Sequence, residues 1–245
     1  MRVDEHLHVV GSGALGFHLT HGLDCHVYLL ASHGELALVD IGAGPGVPAI
    51  LERMRALGFR IEQLRYLLIT HPHADHCGGA AALLEAAPGV EVVAHPVAAR
   101  FIREADEAGM ALDRARAAGL YPPDYRLRPC PVGREVRDGD RLELGGLPIR
   151  VLETPGHTVG SVSYLVRAAG RTYLFTGDLV FPGGRILLQN TPQCSIQDYA
   201  RSIERLAGIE VDALLPGHLA FTLREGSRHI RAAHEHFQRL SVPPQ

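Results

Sequence analysis

The sequence contains no lysine, and all 24 of its basic side chains are arginine. That absence excludes Schiff-base catalysis and the phosphate-binding P-loop, both of which need the amine. Cysteine is sparse. Cys25, Cys77, Cys130 and Cys194 lie far apart with no C-x-x-C pair, so neither a zinc ribbon nor a disulfide scaffold is expected. All four read as reduced, packed thiols. No apolar run approaches the roughly 20 residues that span a bilayer. The opening Met1-Arg2-Val3-Asp4-Glu5-His6 lacks the basic start and apolar stretch of a secretory signal. A cytoplasmic protein with no membrane partner is expected. An excess of positive charge is also missing: the formal net charge is −3. No broad field awaits a phosphate backbone, and nucleic acid is not an expected partner.

What remains is ordinary globular composition, with 46% hydrophobic and 21% charged residues over 245 positions. A core of useful size needs no disulfide at this length. Alternating or short apolar runs predict strands near 7–10, 26–31, 35–40, 65–69, 91–94, 148–153, 161–166, 171–175 and 213–215. Helical spacing appears over 47–57, where Val47, Ile50, Leu51, Met54 and Leu57 share a face ahead of Gly58. Further helices are expected near 79–87, 97–118, 197–207 and 227–240. Strands and helices intermix throughout with no Ser/Gly-rich linker, which predicts a mixed α/β chain forming one domain over 1–245. The stretch 96–140, with Tyr121-Pro122-Pro123 and Arg126, Arg128, Arg134 and Arg137, reads equally as a lid or substrate wall, or as a surface excursion.

Histidine is abundant, at 15 residues, and its placement is informative. Leu67-Leu68-Ile69-Thr70-His71-Pro72-His73-Ala74-Asp75-His76-Cys77-Gly78-Gly79 runs from an apolar strand into a loop holding three imidazoles and a carboxylate. All four side chains are good ligands for zinc or iron. In an extended loop alternate side chains share a face, so His71 and His73 can reach one ion together. Four ligands so close suit two ions ~3.5–4 Å apart better than one tetrahedral ion. Three later residues follow apolar runs in short glycine-containing loops: His157 in Thr154-Pro155-Gly156-His157-Thr158, Asp178 in Thr176-Gly177-Asp178, and His218 in Pro216-Gly217-His218. An internal echo accompanies them, since Glu35–Gly42 and Arg171–Asp178 each deliver an aspartate, Asp40 or Asp178, just past an apolar strand.

The order H-x-H-x-D-H, P-G-H-T, T-G-D, P-G-H resembles the metallo-β-lactamase superfamily, especially its glyoxalase II-like branch. The resemblance covers residues 24 to 218, with all seven motif positions filled. It implies a four-layer αββα sandwich. It also implies that His71, His73 and His157 hold a first metal, that Asp75, His76 and His218 hold a second, and that Asp178 bridges them. Asp40 matches an early aspartate that orders the ligand loop in the family; from spacing alone it reads equally as a plain turn residue. Two departures stand out. Leu219 follows His218 where the family usually has glycine. Only 27 residues follow His218, too few for the helical glutathione-binding domain of glyoxalase II, so glutathione-thioester specificity is not expected.

The chemistry implied is hydrolysis at a carbonyl (ester, thioester or lactone) of a small molecule. Two divalent ions are expected, zinc foremost, with iron or manganese as alternatives. The nucleophile would be a bridging hydroxide formed near pH ~7 rather than the 15.7 of bulk water. Asp75 would orient it and pass a proton to the departing group. Arg185, in the loop after Asp178, reads as a carboxylate grip or as a solvated arginine. Three rivals compete. The scaffold could hold one iron through His71, His157 and Asp178, as in persulfide dioxygenases. Gly11-Ser12-Gly13-Ala14-Leu15-Gly16, with Asp40 lying 24 residues beyond Gly16, matches a dinucleotide fingerprint, but no helical stripe follows it. The third is a non-catalytic metal-binding domain.

Overall fold

A computed structural model describes residues 1–245, and the chain divides into two units, each with its own sheet and core. Unit 1 comprises Met1–Val136 with Leu144–Gly146. Its apolar runs form β1 (Leu7–Gly11), β2 (Val27–Ser32), β3 (Glu35–Val39), β4 (Leu64–Leu68), β5 (Glu91–Ala94) and a two-residue β6 (Arg134–Glu135). They hydrogen-bond in the order β1-β2-β3-β4-β5-β6. The first two pairings are antiparallel and the later ones parallel. Short turns suffice for the first kind, whereas parallel neighbours need crossovers. These are α1 (Val47–Ala56), then α2 (Ala74–Cys77) with α3 (Ala80–Ala86), then α4 (Pro96–Glu104) with α5 (Leu112–Ala117). In α1 the side chains of Val47, Ile50, Leu51 and Met54 are buried, as their spacing predicts.

The helix expected over 97–118 is two helices. Ala105 adopts a left-handed conformation (φ 49°), and Asp106 Oδ1 accepts from Gly109 N at 2.8 Å, closing a turn of its own. An aspartate offering the backbone this alternative competes with helix propagation. α2 and the strands at 134–135 and 141–144 were not expected, being too short for a periodic signal.

Unit 2 comprises Arg137–Glu143 and Leu147–Gln245. Its sheet is built from β7 (Arg141–Leu144, of which all but Leu144 belong to this unit), β8 (Leu147–Glu153), β9 (Val162–Ala168), β10 (Arg171–Gly177) and β11 (Ala213–Pro216), in the order β11-β10-β9-β8-β7. β8 and β10 each run antiparallel to β9, and β11 runs parallel to β10. The last residues of β8, β10 and β11 therefore lie at one edge of the sheet. Helices α6 (Ile196–Ala207) and α7 (Gly226–Gln238) cover it, burying Tyr199, Ile203, Leu206, Ile230 and Ala233 in its core.

Candidate metal centre

In unit 1, β3 and β4 run parallel, so the loops leaving their C-terminal ends emerge together. Asp40 follows β3 directly, in a left-handed conformation (φ 57°). Its Oδ1 accepts from Thr70 N at 2.8 Å, and its Oδ2 accepts from Thr70 Oγ1 at 2.7 Å and from His76 Nδ1 at 2.8 Å. Asp40 thus ties the two loops together, which resolves its role in favour of the ordering carboxylate.

That network also sets the histidine tautomers. A carboxylate only accepts, so a neutral His76 carries its proton on Nδ1 and keeps its lone pair on Nε2. Thr70 has a single hydroxyl proton, committed to Asp40, so Thr70 Oγ1 accepts from His71 Nδ1 at 3.1 Å. His71 likewise presents Nε2 as its basic nitrogen. It faces His73 Nδ1 at 3.1 Å. His73 precedes the one-turn α2, which carries Asp75 and His76. Asp75 Oδ2 lies 3.7 Å from His76 Nε2. All four expected residues of this loop are therefore gathered within unit 1, with His71 and His76 buried.

In unit 2 the shared edge brings the other three together. His157 Nδ1 donates to Leu187 O at 3.0 Å, leaving Nε2 basic, and Nε2 lies 3.7 Å from Asp178 Oδ2. His218 Nε2 lies 3.5 Å from the same oxygen. These spacings exceed a hydrogen bond. They approach the roughly 3.3 Å edge of a tetrahedron of ligands held ~2.0–2.1 Å from an ion. Each set thus pairs carboxylate with oriented imidazole, a donor chemistry that fits zinc, iron or manganese.

Several supports of these loops escaped the sequence reading. Tyr199 OH donates to Leu187 O at 2.7 Å, the carbonyl that orients His157. Gly156, at φ 152°, lets the His157 loop pass the Tyr199 ring, where a Cβ would meet Cγ at 2.8 Å. Asp24 is 2% exposed and accepts from Thr20 Oγ1, His21 N and Ala43 N. Burial raises its carboxyl above the usual range. The only hint of it in the sequence was a carboxylate directly ahead of an apolar strand.

Cys25, Asp40 and His76 offer ligand atoms within 4.8 Å of one another. The Asp40 oxygens already accept three donors, and burial pushes the Cys25 thiol up to about 12, so this trio is an ordering cluster. All four cysteines are free thiols, three of them buried.

Other expectations fare differently. Arg185 donates to the Gln245 carbonyl, so its guanidinium is engaged by the chain itself. In the arginine-rich stretch, Arg128 pairs with Glu85 and Arg134 with Glu91, while Arg126 donates to Pro123 O and Tyr125 O. The glycine fingerprint after β1 opens into turns rather than a helix, and Gly13 N bonds Asp24 O at 2.9 Å. It therefore lacks the helix N-terminus that binds a pyrophosphate. Leu219, where glycine was expected, adopts the left-handed conformation glycine favours (φ 62°). No helix is long and apolar enough to cross a membrane.

Hydroxyacylglutathione hydrolase from Aeromonas salmonicida is 32% identical over 194 residues, covering 78% of the chain and 59% of that protein. The enzyme of that name from Anaeromyxobacter dehalogenans is 37% identical over 213 residues, covering 83% of the chain and 67% of that protein. The chain thus spans less than two thirds of the length of the first of these. A metallo-beta-lactamase from Cronobacter sakazakii altered in its HARLDQ motif superposes with TM-score 0.74 at 26% identity, covering 98% of this chain and 95% of that one. The native Legionella gormanii metallo-beta-lactamase superposes with TM-score 0.72 at 22% identity, covering 98% and 94%, which bears on fold alone. The mixed α/β fold with two mixed sheets is the one these neighbours share. The profile of the metallo-beta-lactamase superfamily matches residues 21–218, from the loop ahead of β2 through His218, and with the motif histidines and aspartates gathered at strand ends the chain belongs to that superfamily.

Proposed function

We propose that the chain is a metal-dependent hydrolase of small carbonyl compounds (esters, thioesters or lactones) that uses two divalent ions, with zinc as the first choice. His71, His73 and His157 would hold one ion, Asp75, His76 and His218 the other, and Asp178 would be shared. The observation that carries this reading is the tautomer control. His71, His76 and His157 each commit Nδ1 to Thr70, Asp40 or Leu187, which keeps the lone pair of the neutral ring on Nε2, where a metal would bind. The single Asp178 oxygen set 3.7 and 3.5 Å from two imidazole nitrogens supports its bridging role. The names of the relatives, hydrolases of an acylated glutathione, support acyl transfer to water.

A bound divalent pair supplies Lewis acidity toward a carbonyl oxygen and water that ionises near pH ~7. The chain's own groups do the rest. Asp178, as the shared carboxylate, would offset part of the ions' positive charge. Asp75 would orient the attacking water and pass a proton taken from it to the departing alkoxide or thiolate. Asp40 and Thr70 keep the imidazoles in the tautomer that binds.

Metal quantitation on purified protein, followed by a panel of small esters, thioesters and lactones, tests the reading. Two equivalents of zinc or a similar ion are expected. Turnover should fall by at least 100-fold in Asp75→Asn while the fold is retained, as befits loss of a proton-transfer group. A single stoichiometric iron with oxygen uptake on a persulfide would overturn hydrolysis. So would metal binding without turnover of any panel member.

A further inference from the structure

The stretch joining α4 to β6 sends two phenols into the loops that carry the unit 1 ligands. Tyr121 OH donates to Asp75 Oδ1 at 2.9 Å. Four residues on, Tyr125 OH donates to Ala43 O at 2.7 Å, just past the loop that Asp40 opens. The two rings lie 5.0 Å apart. A Cβ on Gly78 would sit 2.4 Å from the Tyr125 hydroxyl, so the ligand loop is shaped to admit it. The stretch is itself held. Arg116 pairs with Glu107 at 2.6 Å and donates to Tyr125 O at 3.0 Å, and Glu107 also accepts from Leu127 N. Of the two sequence readings of 96–140, this favours a built wall of the site over a surface excursion.

The consequence falls on Asp75. The terminal torsion of an aspartate is broad, so without a second contact its carboxylate plane is poorly defined. The Tyr121 hydroxyl engages Oδ1 and thereby turns Oδ2 toward His76 Nε2, 3.7 Å away. We propose that Tyr121 is the positioning residue for Asp75, selecting Oδ2 as the oxygen that shares an ion with His76. This inference rests on the reading of Asp75 and His76 as joint ligands. It gives the 105–133 stretch a function that its pairing of arginines with glutamates does not. Tyr125, whose hydroxyl is bound to a backbone carbonyl, anchors the wall.

The experiment is a zinc titration of the metal-stripped full chain against a chromophoric chelator, run on wild type, D75A, Y121F and Y125F. D75A should abolish one zinc step. Y121F should weaken that same step 10- to 100-fold, the usual effect of removing a partner that orients a ligand, and leave the other step unchanged. Y125F should leave both unchanged. If D75A weakens a step and Y121F does not, the inference is overturned and the metal reading survives. If D75A leaves zinc affinity untouched, Asp75 is no ligand and both fall. Equal effects of Y121F and Y125F would reduce Tyr121 to a structural prop and overturn the inference. Tyr121→Met repeats the measurement with a different apolar filler, so a folding defect peculiar to phenylalanine does not decide it.

Discussion

Replacing Asp40 by asparagine removes one charge and almost no volume, yet it should disable a histidine 36 positions away. Asp40 Oδ2 accepts from both Thr70 Oγ1 and His76 Nδ1, and Oδ1 accepts from Thr70 N. An amide offers one oxygen. If that oxygen keeps Thr70 N, the new NH2 group points at two donors. His76 can then avoid a donor–donor clash only by moving its proton to Nε2, the nitrogen that faces Asp75. Thr70 must turn its hydroxyl, which in turn frees His71 to change tautomer through Thr70 Oγ1. Asp40 is 2% exposed, so water cannot take over these roles. The stability cost should be about 1–3 kcal/mol, that of a buried donor left unsatisfied. Zinc affinity should fall about 10- to 100-fold, which corresponds to roughly 1.4–2.7 kcal/mol. The two effects are separable, since thermal melts of the metal-stripped chain report the first and chelator competition the second. Nitrogen-15 spectra of the imidazoles would show the proton on Nε2 of His76. Unchanged zinc affinity with an unchanged His76 tautomer would refute the reasoning outright.

Two further outcomes follow from packing and burial. Gly156→Ala would place a Cβ 2.8 Å from Tyr199 Cγ and 2.9 Å from its backbone nitrogen, at a φ of 152° that alanine resists. A loss of about 3 kcal/mol is expected from overpacking with backbone strain, read as a clear drop in melting temperature; a melt within a degree of wild type would contradict it. His8 is 3% exposed, lies edge-on to Phe59, and has no hydrogen-bond partner at Nδ1 or Nε2. Burial first, then Arg2 and the terminal amine, lower its pKa, with Asp4 opposing. The unfolded chain therefore takes up the proton more readily, and its contribution to stability is lost as pH falls from about 6.5 through the folded value. His8→Leu should gain about 1 kcal/mol by removing unpaired polar atoms and flatten the pH dependence of the melt between pH 5 and 7. An unaltered slope would show that His8 takes up its proton over the same pH range in both states.

The ligand loops were legible because each is local. His71, His73, Asp75 and His76 fall within six positions after an apolar strand, and His157, Asp178 and His218 each follow another. α1 was equally legible from Val47, Ile50, Leu51 and Met54. Where the reading failed, competing local chemistry or brevity was responsible. Asp106 caps its own turn and splits one expected helix into α4 and α5, while α2 is a single turn with no period to detect. The partners of Arg128 and Arg134, Glu85 and Glu91, could not be read from the sequence because they come from distant positions.

The sequence by itself determined where the candidate ligands cluster and that each cluster follows an apolar strand, because composition, apolar runs and short motifs are properties of neighbouring residues. Only the tertiary structure decided which nitrogen of His71, His76 and His157 keeps its lone pair, which oxygen of Asp75 is left to His76, and what Asp24, Tyr121 and Tyr199 hold in place. Those choices rest on hydrogen bonds such as Tyr121 to Asp75 and Asp40 to His76, spanning 46 and 36 positions. Such a bond exists only once parallel strands have brought separate loops to one edge, since direction and distance between remote groups are set by the folded backbone and not by residue type.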